Sequence, residues 1–389
     1  MSRLWVEERA GPGAQGALEL EWKQIFSKSD AAPFLSWEWA DAWLRHLGPG
    51  RKPRIFCVRD EFHLVGLLAL CEESRKVPGL RSRIRRLSFA GERLGGADYL
   101  DVLALPGRHA EVTRAILERL ATEPSFDLLE LDGIASDSPT LPLAREAFGS
   151  NEAFSLRTFD RWNCPRIGLD GGFATVLAQS GRGDNYRRRL RQLKALKGFE
   201  HRAVTGTKDA KPAFERFLEL HERRWADQGG SDAMGRPSVR AFHRETVERL
   251  AGAGLLRFDE LWAEGGCRSS IYGIDTKGVF YFYQTGYDPE WARRSVGLAI
   301  LGLSIEAAAG RGARVYDFLH GEEAYKREWA RDIRKTVSLR VAAKGLGAAF
   351  LLSREAAESA ARAAARSVLP DFAVEGLRRW RRAREHAES

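Results

Sequence analysis

The sequence predicts an α+β protein in which two mixed sheets, each flanked by helices, are followed by a C-terminal helical tail. Short segments read as strands, and they are separated by segments whose apolar residues recur at helical spacing. The order of these segments is similar in the two halves of the chain. The length of 389 residues fits two domains of ordinary size. We therefore expect domains at residues 1–160 and 165–345 and a tail at 346–389.

The first half predicts a helix, a hairpin, a strand, a second helix and a closing strand. The opening helix is APFLSWEWADAWLRHLG, in which Trp39, Trp43 and Leu47 recur at helical spacing and Gly48 is a stop signal. Two strand-like runs follow, PRIFCVRD and HLVGLLALCEE, joined by a short acidic turn. DYLDVLAL is the next predicted strand, RHAEVTRAILERLAT an amphipathic helix and FDLLELDGI the last strand. This order indicates a mixed sheet with helices packed on it.

The second half starts near Ile167 and has a similar layout. Helices are predicted at Gly181–Lys197, at PAFERFLELHERRWADQG, around Phe242–Ala251 and at VGLAILGLSIEAAAGRGA. Strands are predicted at LLRFDELWAE, CRSSIYGIDT, VFYFYQTGYD, RVYDFLH and TVSLRVAA. From Gly345 onward the sequence is Ala-rich and helical, with an interruption at Leu369-Pro370, and it ends in the basic stretch LRRWRRAREHAES.

Composition excludes several classes of protein. Hydrophobic residues make up 44% and charged residues 30% of the chain, which excludes a disordered polymer. The four cysteines lie far apart without a C-x-x-C pair, so we expect neither a disulfide framework nor a bound metal, and a reducing cytoplasm fits best. The N-terminus carries charges where a signal peptide needs an apolar run. The longest apolar stretches fall far short of the ~20 residues that span a bilayer.

The chain is basic, with a formal net charge of +9, which makes acidic partners compatible with it. The most basic segment is 182–202, where eight Lys and Arg residues stand against Asp184 and Glu200. It is either a solvated helix face or a surface for an anionic head group, an acyl-carrier protein or a tRNA acceptor stem. Its only aromatic residues are Tyr186 and Phe199. It therefore lacks the interleaved aromatics of a single-strand binder, and nucleic acid is disfavoured.

The segment between VFYFYQTGYD and the next helix has the features of an anion site. It fits the pattern Q/R-x-x-G-x-G/A with Arg294-Ser295-Val296-Gly297-Leu298-Ala299, and Arg293 precedes it. The glycine lets the backbone approach a ligand closely, and the free N–H groups of the first helical turn point at a phosphate group. The alternative is an ordinary strand-to-helix turn that uses glycine for a tight bend.

This pattern resembles the acyl-CoA pyrophosphate motif of the GNAT acyltransferase superfamily. More narrowly, PFLSWEWADAWLRHLG, TGYDPEWARRSVG and YDFLHGEEAYKREWA are similar to the CelD/BcsL branch. That branch is associated with cellulose and exopolysaccharide biosynthesis and is distantly similar to Fem-type aminoacyl transferases. The resemblance covers about residues 20–345 and is strongest at 278–330. It implies a tandem GNAT-like architecture whose second half holds the active site, with acyl-CoA as co-substrate. His320 departs from the Arg that the resemblance leads us to expect.

A GNAT-type reaction needs few groups, because the amine attacks the thioester directly. Asp317 and His320 end a predicted strand and are candidate general bases, the unperturbed pKa of histidine being ~6.5. Tyr325 lies where many GNAT enzymes present a phenol to the leaving thiolate. The strand 280–286, with Tyr283, is the one whose backbone would hold the pantetheine arm. The alternatives are a loop-capping Asp317, a surface His320 and tyrosines that pack in the sheet.

Three further residues are candidates for substrate binding. Arg224 and Trp225 follow each other at the end of a predicted helix, where they would line an acceptor pocket. A snorkelling arginine beside a core tryptophan explains this pair equally well. Lys326 follows Tyr325 and has a solvated side chain as its alternative.

We therefore expect an N-acyltransferase that transfers an acyl group from acyl-CoA, in a ternary complex. The acceptor is the amine of an envelope polysaccharide precursor, a sugar nucleotide or a lipid long-chain base. Two alternatives stay open: an aminoacyl-tRNA-dependent transferase and a non-catalytic accessory protein of polysaccharide synthesis. We expect a cytoplasmic protein with peripheral contact at the inner membrane face, because the tail places Trp380 among Arg378, Arg379, Arg381 and Arg382. A tail helix that docks on its own domain is the simpler alternative.

Overall fold

The computed structural model describes residues 4–77, 83–226, 234–321 and 323–345, which form a mixed α/β fold. The chain divides into two compact units, neither of which is continuous in sequence. The described residues of unit 1 lie within 4–31, 48–160 and 337–345, and those of unit 2 within 32–47 and 161–336. The predicted tail, including Leu369 and Trp380, lies outside the described residues.

In chain order the first elements are β1 (Leu4–Ala10), α1 (Glu19–Lys28), α2 (Trp37–His46), β2 (Lys52–Asp60), β3 (His63–Lys76), β4 (Arg83–Phe89), β5 (Leu103–Ala104), α3 (His109–Thr122), β6 (Leu128–Ala135), α4 (Thr140–Gly149) and β7 (Phe154–Gly168). They are followed by α5 (Gly172–Gln179), α6 (Gly183–Lys194), β8 (Glu200–Val204), α7 (Thr207–Trp225), α8 (Pro237–Gly252), β9 (Leu256–Ala263), β10 (Gly266–Thr276), β11 (Val279–Tyr287), α9 (Val296–Gly310), β12 (Val315–Asp317), α10 (Ala324–Trp329) and β13 (Asp332–Ala343).

Unit 1 has a mixed sheet with the strand order β1-β2-β3-β4-β6-β13, and β5 pairs with β3. Strands β1 to β4 are antiparallel neighbours, whereas β4 and β6 run parallel because α3 connects them from one edge to the other. The predicted strand 98–105 shrinks to the two residues of β5. Tyr99 has a φ of 58°, and the Asp101 carboxylate accepts the Val102 N–H at 2.8 Å, so this segment turns instead of extending.

A buried ionic cluster lies where β4 and β6 pair. Arg86 Nη1 is 2.9 Å from Glu73 Oε1 and 2.8 Å from Glu92 Oε1, and Arg86 Nε contacts Glu130. On β13, Arg340 Nη2 is 2.8 Å from Glu130 Oε1. Arg86, Glu92 and Glu130 are almost completely buried, and charges are tolerated at such depth only when they are paired. The cluster therefore ties β3, β4, β6 and β13 to one another.

In unit 2 the strands of the mixed sheet have the order β7-β12-β11-β10-β9-β8. Strands β8 to β11 form an antiparallel meander, and β11 pairs in parallel with β12, which the intervening helix α9 makes possible. Helices pack on both faces of this sheet. On one face Ile271, Phe280 and Phe282 pack in a core with α9, and on the other Tyr272 contacts Phe214 of α7.

The small residues of α9 allow helix α6 to pack against it closely. A Cβ at Gly302 would lie 2.1 Å from Cε2 of the buried Tyr186 of α6, a distance that no side chain could occupy. Leu190 and Leu193 of α6 are buried in the same core. The prediction of mixed sheets flanked by helices is thus confirmed in both units.

Candidate functional site

Helix α9 begins with backbone amides that its own carbonyl groups cannot satisfy. The 3₁₀ helix Pro289–Arg294 leads into Ser295, which has a φ of 60° and a ψ of 39°, and α9 follows. The first helical bond is donated by the Ala299 N–H to the Ser295 carbonyl at 3.0 Å. Within the described chain, the Ser295 side chain does not cap the helix. The N–H groups of residues 296–298 therefore form the partially positive end of the helix dipole.

Strands β11 and β12 part close to this helix end. They pair only from Val279 to Tyr281 on β11 and from Val315 to Asp317 on β12, while β11 continues to Tyr287. Beyond Asp317 the chain turns, because the Leu319 N–H donates to Asp317 Oδ1 at 2.8 Å and Leu319 has a φ of 55°. A bulge at Tyr283, opposite the Tyr272–Gly273 step of β10, bends β11 further. The two strands consequently open a gap in the sheet.

A cavity of about 380 Å³ lies in this region of unit 2, within the ~300–1,000 Å³ range of small-molecule sites. Two walls are the start of α9 and the far half of β11, and two more come from α6 and α10. The lining residues are Arg182, Asn185, Arg224, Ile271, Phe282, Thr285, Tyr287, Ala292, Ser295, Gly297, Leu298, Leu301, Tyr325, Glu328 and Trp329. The cavity therefore joins the free amides of α9 to the gap between β11 and β12.

Gly297 faces the cavity from the first turn of α9. A Cβ at this position would lie 3.7 Å from Tyr287 Cδ1, which is an ordinary van der Waals contact. The fold itself therefore tolerates a larger residue here. A side chain at position 297 would instead fill space at the mouth of the helix amides, where a phosphate group would need close approach.

Two arginines supply positive charge to the cavity wall. Arg182 forms an ion pair with Glu328, which joins the start of α6 to α10. Arg224 donates from Nη1 to the Thr285 carbonyl at 3.3 Å, and its guanidinium lies 5.0 Å from the centre of the Tyr287 ring and 5.2 Å from that of Trp225. Arg224 is thus held by stacking and by one hydrogen bond, and it can still donate to a ligand.

Tyr325 is one of two tyrosines that line the cavity, the other being Tyr287. Its ring centre is 6.4 Å from that of Phe282 on β11, and the side chain is half-buried. Burial raises the pKa of Tyr325, and the Glu323 carboxylate raises it further. The phenol is therefore protonated at neutral pH and can donate a proton.

The remaining predicted catalytic and substrate residues lie around the turn that follows β12. Asp317 is buried and holds this turn, and the exposed His320 stacks on Trp162 with ring centres 5.5 Å apart. Lys326 is buried rather than solvated: its Nζ donates to the His320 carbonyl at 2.9 Å and lies 3.1 Å from Glu323 Oε2. Asp317, His320 and Lys326 are therefore close in sequence to the lining residue Tyr325 but do not line the cavity themselves. Their predicted roles stay predictions.

The other predicted ligand-binding residues fall on both sides of the cavity wall. Ser295, Gly297, Leu298 and Arg224 line it, whereas Val296 and Ala299 are buried in the core behind it. Arg293 and Arg294 are exposed. Arg294 lies over Trp291 at 4.2 Å and its Nη1 is 3.1 Å from Glu264 Oε1. Trp225 supports Arg224, and Tyr283 packs on the opposite face of the sheet, against Trp39.

Sequence reasoning did not select several lining residues. Asn185 and Arg182 belong to the predicted basic helix but are not predicted site residues. Neither is Glu328, although it lies three residues after Tyr325 on the same helix face. That spacing was the available signal for Glu328. Thr285 lies in the predicted strand, two residues after Tyr283, and no local pattern distinguishes it.

The sequence of residues 180–327, which includes every lining residue of the cavity except Glu328 and Trp329, matches the family described as "Acetyltransferase (GNAT) domain". This segment therefore corresponds to a GNAT-type acetyltransferase domain. The matched segment contains β11, α9 and β12, while the CelD/BcsL branch stays a prediction. No curated protein matches the chain.

Solved structures share the fold over most of the chain. FemX is 12% identical with a TM-score of 0.57, over 82% of this chain and 95% of FemX. A conserved protein of unknown function from Bacteroides thetaiotaomicron is 12% identical with a TM-score of 0.54, over 84% and 97% of the two chains. The C-terminal DUF2156 domain of a candidate lysylphosphatidylglycerol synthetase from Agrobacterium fabrum is 10% identical with a TM-score of 0.52, over 88% and 96%. At these identities the likeness concerns the fold alone.

No group of three His, Cys, Asp or Glu side chains in the described ranges comes together as metal ligands would. No helix among those ranges is both long and apolar enough to cross a membrane.

Proposed function

We propose that the protein is an N-acyltransferase that takes an acyl group from a pantetheine thioester, with acyl-CoA as the simplest donor, and transfers it to an amine. One observation carries this proposal: a single cavity connects the free amides of α9 with the gap between β11 and β12. The helix end suits the pyrophosphate of the donor. The gap exposes backbone groups of β11, with which the amide-rich pantetheine arm of the donor can form hydrogen bonds.

The residues of the cavity fit such a donor. The side-chain-free Gly297 leaves room for phosphate oxygens beside the helix amides, and Arg224 adds a positive charge. Phe282, Ile271 and Leu301 form the apolar part of the wall, which suits the aliphatic portion of a thioester.

The reaction is a direct transfer. The amine nitrogen forms a bond to the thioester carbonyl carbon and the C–S bond breaks. The nitrogen loses two protons in going from ammonium to amide, while the departing thiolate gains one proton and the other is released to solvent. The protonated phenol of Tyr325 is the cavity group suited to supply the proton to sulfur. For the opposite proton transfer, Asp317 and His320 are the proposed bases, beside the parting of the strands.

The acceptor belongs to the envelope in our proposal: a polysaccharide precursor, a sugar nucleotide or a lipid long-chain base. The resemblance to the CelD/BcsL branch supports it. Mass spectrometry of lipids and glycans from a deletion strain identifies the acceptor. If every acylated amine of the wild type is still present in the deletion strain, that result would favour a non-catalytic accessory protein.

Isothermal titration with acetyl-CoA and with a longer acyl-CoA tests the donor site. We expect the wild type to bind at least one of them and Gly297→Val to bind neither, with unchanged far-UV circular dichroism and melting. Gly310→Val is the matched control, because Gly310 is exposed at the other end of α9 and has no atom within 4 Å of its Cβ position. Unchanged binding by Gly297→Val would show that the loop at the start of α9 is an ordinary turn and not a donor site. Binding of aminoacyl-tRNA in place of acyl-CoA, weakening steeply with salt, would favour the Fem-type donor.

A further inference from the structure

Helix α6 begins at the cavity and carries several exposed basic residues. At its start, Arg182 and Asn185 line the cavity. Further along the helix Arg187, Arg188, Arg191 and Lys194 are exposed, and the only carboxylate within α6 is that of Asp184. From this arrangement we propose that α6 docks an acidic carrier protein that presents the acyl group as a thioester on its pantetheine arm. The inference rests on the proposed function, because it names the partner that delivers the donor to the cavity.

Three of these positive charges form a row along α6. Arg187, Arg191 and Lys194 are spaced i, i+4 and i+7, so they lie on one face of α6. At a rise of ~1.5 Å per residue the row is about 10 Å long. Arg187 Nη1 is 3.2 Å from Asp184 Oδ1, and both groups are exposed. Exposed pairs of this kind contribute little, so a partner can displace Asp184 easily.

The row has a fixed position relative to the donor site. Tyr186, Leu190 and Leu193 each precede a residue of the row and so lie about 100° away from it around α6. These three are buried, and Tyr186 packs against the bare backbone of Gly302 in α9. Because α9 also provides the free amides at the cavity, α6 and those amides belong to one rigid packing arrangement. A partner that binds the row is therefore held in a fixed position relative to those amides.

The chemistry of the exposed face favours a folded acidic partner. The apolar residues Tyr186, Leu190 and Leu193 of α6 are all buried, so this helix offers no apolar anchor for insertion into a membrane. For the same reason it offers no exposed ring on which nucleic acid bases would stack. A row of positive charges on a rigid helix is complementary to a row of carboxylates on a partner helix, which steers association. On transfer, the thiol with its proton would stay on the arm of the carrier protein.

The test compares two donors and two charge-reversed proteins. An acyl carrier protein loaded with an acyl group and the matching acyl-CoA are each titrated into the full-length wild type. They are also titrated into Arg191→Glu/Lys194→Glu and into the control Lys208→Glu/Lys211→Glu. The control makes the same charge change at exposed residues of α7. We expect the first variant to bind the acyl carrier protein at least tenfold more weakly and acyl-CoA within twofold of wild type. The control should match wild type for both donors.

Other outcomes separate this inference from the proposed function. Binding of acyl-CoA but not of the acyl carrier protein by the wild type would overturn the inference and leave the proposed function intact. An equal loss for both donors would also overturn it, since α6 would then contact the nucleotide of CoA. Binding to vesicles of phosphatidylglycerol that the first variant loses, without carrier binding, would assign the row to a membrane. Failure of the wild type to bind either donor would overturn the proposed function itself.

Discussion

The Tyr283 hydroxyl lies 3.2 Å from Nε2 of the fully buried His243. Tyr283 sits at the bulge of β11, and His243 approaches from α8, with the Tyr272 ring centre 5.8 Å away and that of Trp39 6.0 Å away. Burial lowers the pKa of His243 to about 3, with a smaller contribution from His221. His243 is therefore neutral at physiological pH, and it holds the Tyr283 phenol by an uncharged hydrogen bond.

We expect the free energy of unfolding to fall as the pH drops from about 6.5 toward 4. In the unfolded chain histidine protonates near pH ~6.5, whereas burial lowers the pKa of His243 to about 3 and that of His221 to about 4. The unfolded state therefore binds more protons in this range. Each histidine contributes stability that is present above pH ~6.5 and is lost, by up to ~1.4 kcal/mol per pH unit, as the pH falls. Urea denaturation at pH 7, 6 and 5 measures the loss.

His243→Gln is the matched variant for this pH dependence, because glutamine keeps a hydrogen-bonding group for Tyr283 but does not titrate. The free energy of unfolding of this variant should change less steeply with pH than that of the wild type. The difference in slope should be the contribution of one histidine, ~1.4 kcal/mol per pH unit. Parallel slopes for the two proteins would show that His243 protonates in the folded state.

We expect Gly302→Ala to destabilise the protein by about 1–3 kcal/mol, because the added methyl group would overlap the Tyr186 ring. The comparison is Gly310→Ala in the same helix, where nothing lies within 4 Å of the new Cβ and alanine has the higher helix propensity. Denaturant unfolding of both variants measures the difference. Equal stabilities would mean that α6 moves away from α9 at little cost.

Arg224→Ala should raise the dissociation constant for acyl-CoA about tenfold, or ~1.4 kcal/mol, because Arg224 lines the cavity. Arg294→Ala is the comparison, because the pyrophosphate motif predicts a similar loss of affinity for this variant. The Arg294 side chain pairs with Glu264 and does not line the cavity. Titration of both variants decides which arginine serves the phosphate groups. A loss for Arg294→Ala alone would place them outside the cavity described above.

Tyr325→Phe should lower kcat by about a hundredfold and leave the KM for the donor nearly unchanged, because it removes a proton donor but keeps the ring. Release of the free thiol, measured with the acceptor identified by mass spectrometry, gives both constants. Tyr287→Phe removes the same atom elsewhere in the cavity and should change kcat less than threefold. Similar losses in the two variants would argue against a proton transfer from Tyr325.

The elements with strong local patterns could be predicted from the sequence. The apolar runs of β2, β3, β9 and β11 and the amphipathic helices α3 and α7 appear where the pattern places them. Strand β7 was missed, because Phe154–Gly168 mixes charged residues with a proline and is a strand only through its neighbours in the sheet. Local sequence cannot report such long-range pairing.

The candidate site shows the same division. Gly297, Ser295 and Leu298 belong to one loop with a recognisable pattern, and all three line the cavity. Arg182 and Glu328 are far apart in sequence, and only the packing of α6 and α10 brings them together. Lys326 was expected at the surface or at the substrate, but it is buried with its ammonium group on the carbonyl of a neighbouring turn. Such partners depend on tertiary structure, which local patterns do not contain.

The interruption of unit 1 has a consequence for synthesis on the ribosome. The chain leaves unit 1 after Asp160 and returns to it only at Val337. Strand β13 is therefore synthesised long after β6. At ~5–20 residues per second, the intervening stretch of about 180 residues takes roughly 10 to 35 s to translate. During that time Glu130 lacks Arg340, and β6 is an open sheet edge of the kind that pairs with other chains. Nascent chains at this stage should therefore be the form that most needs a chaperone.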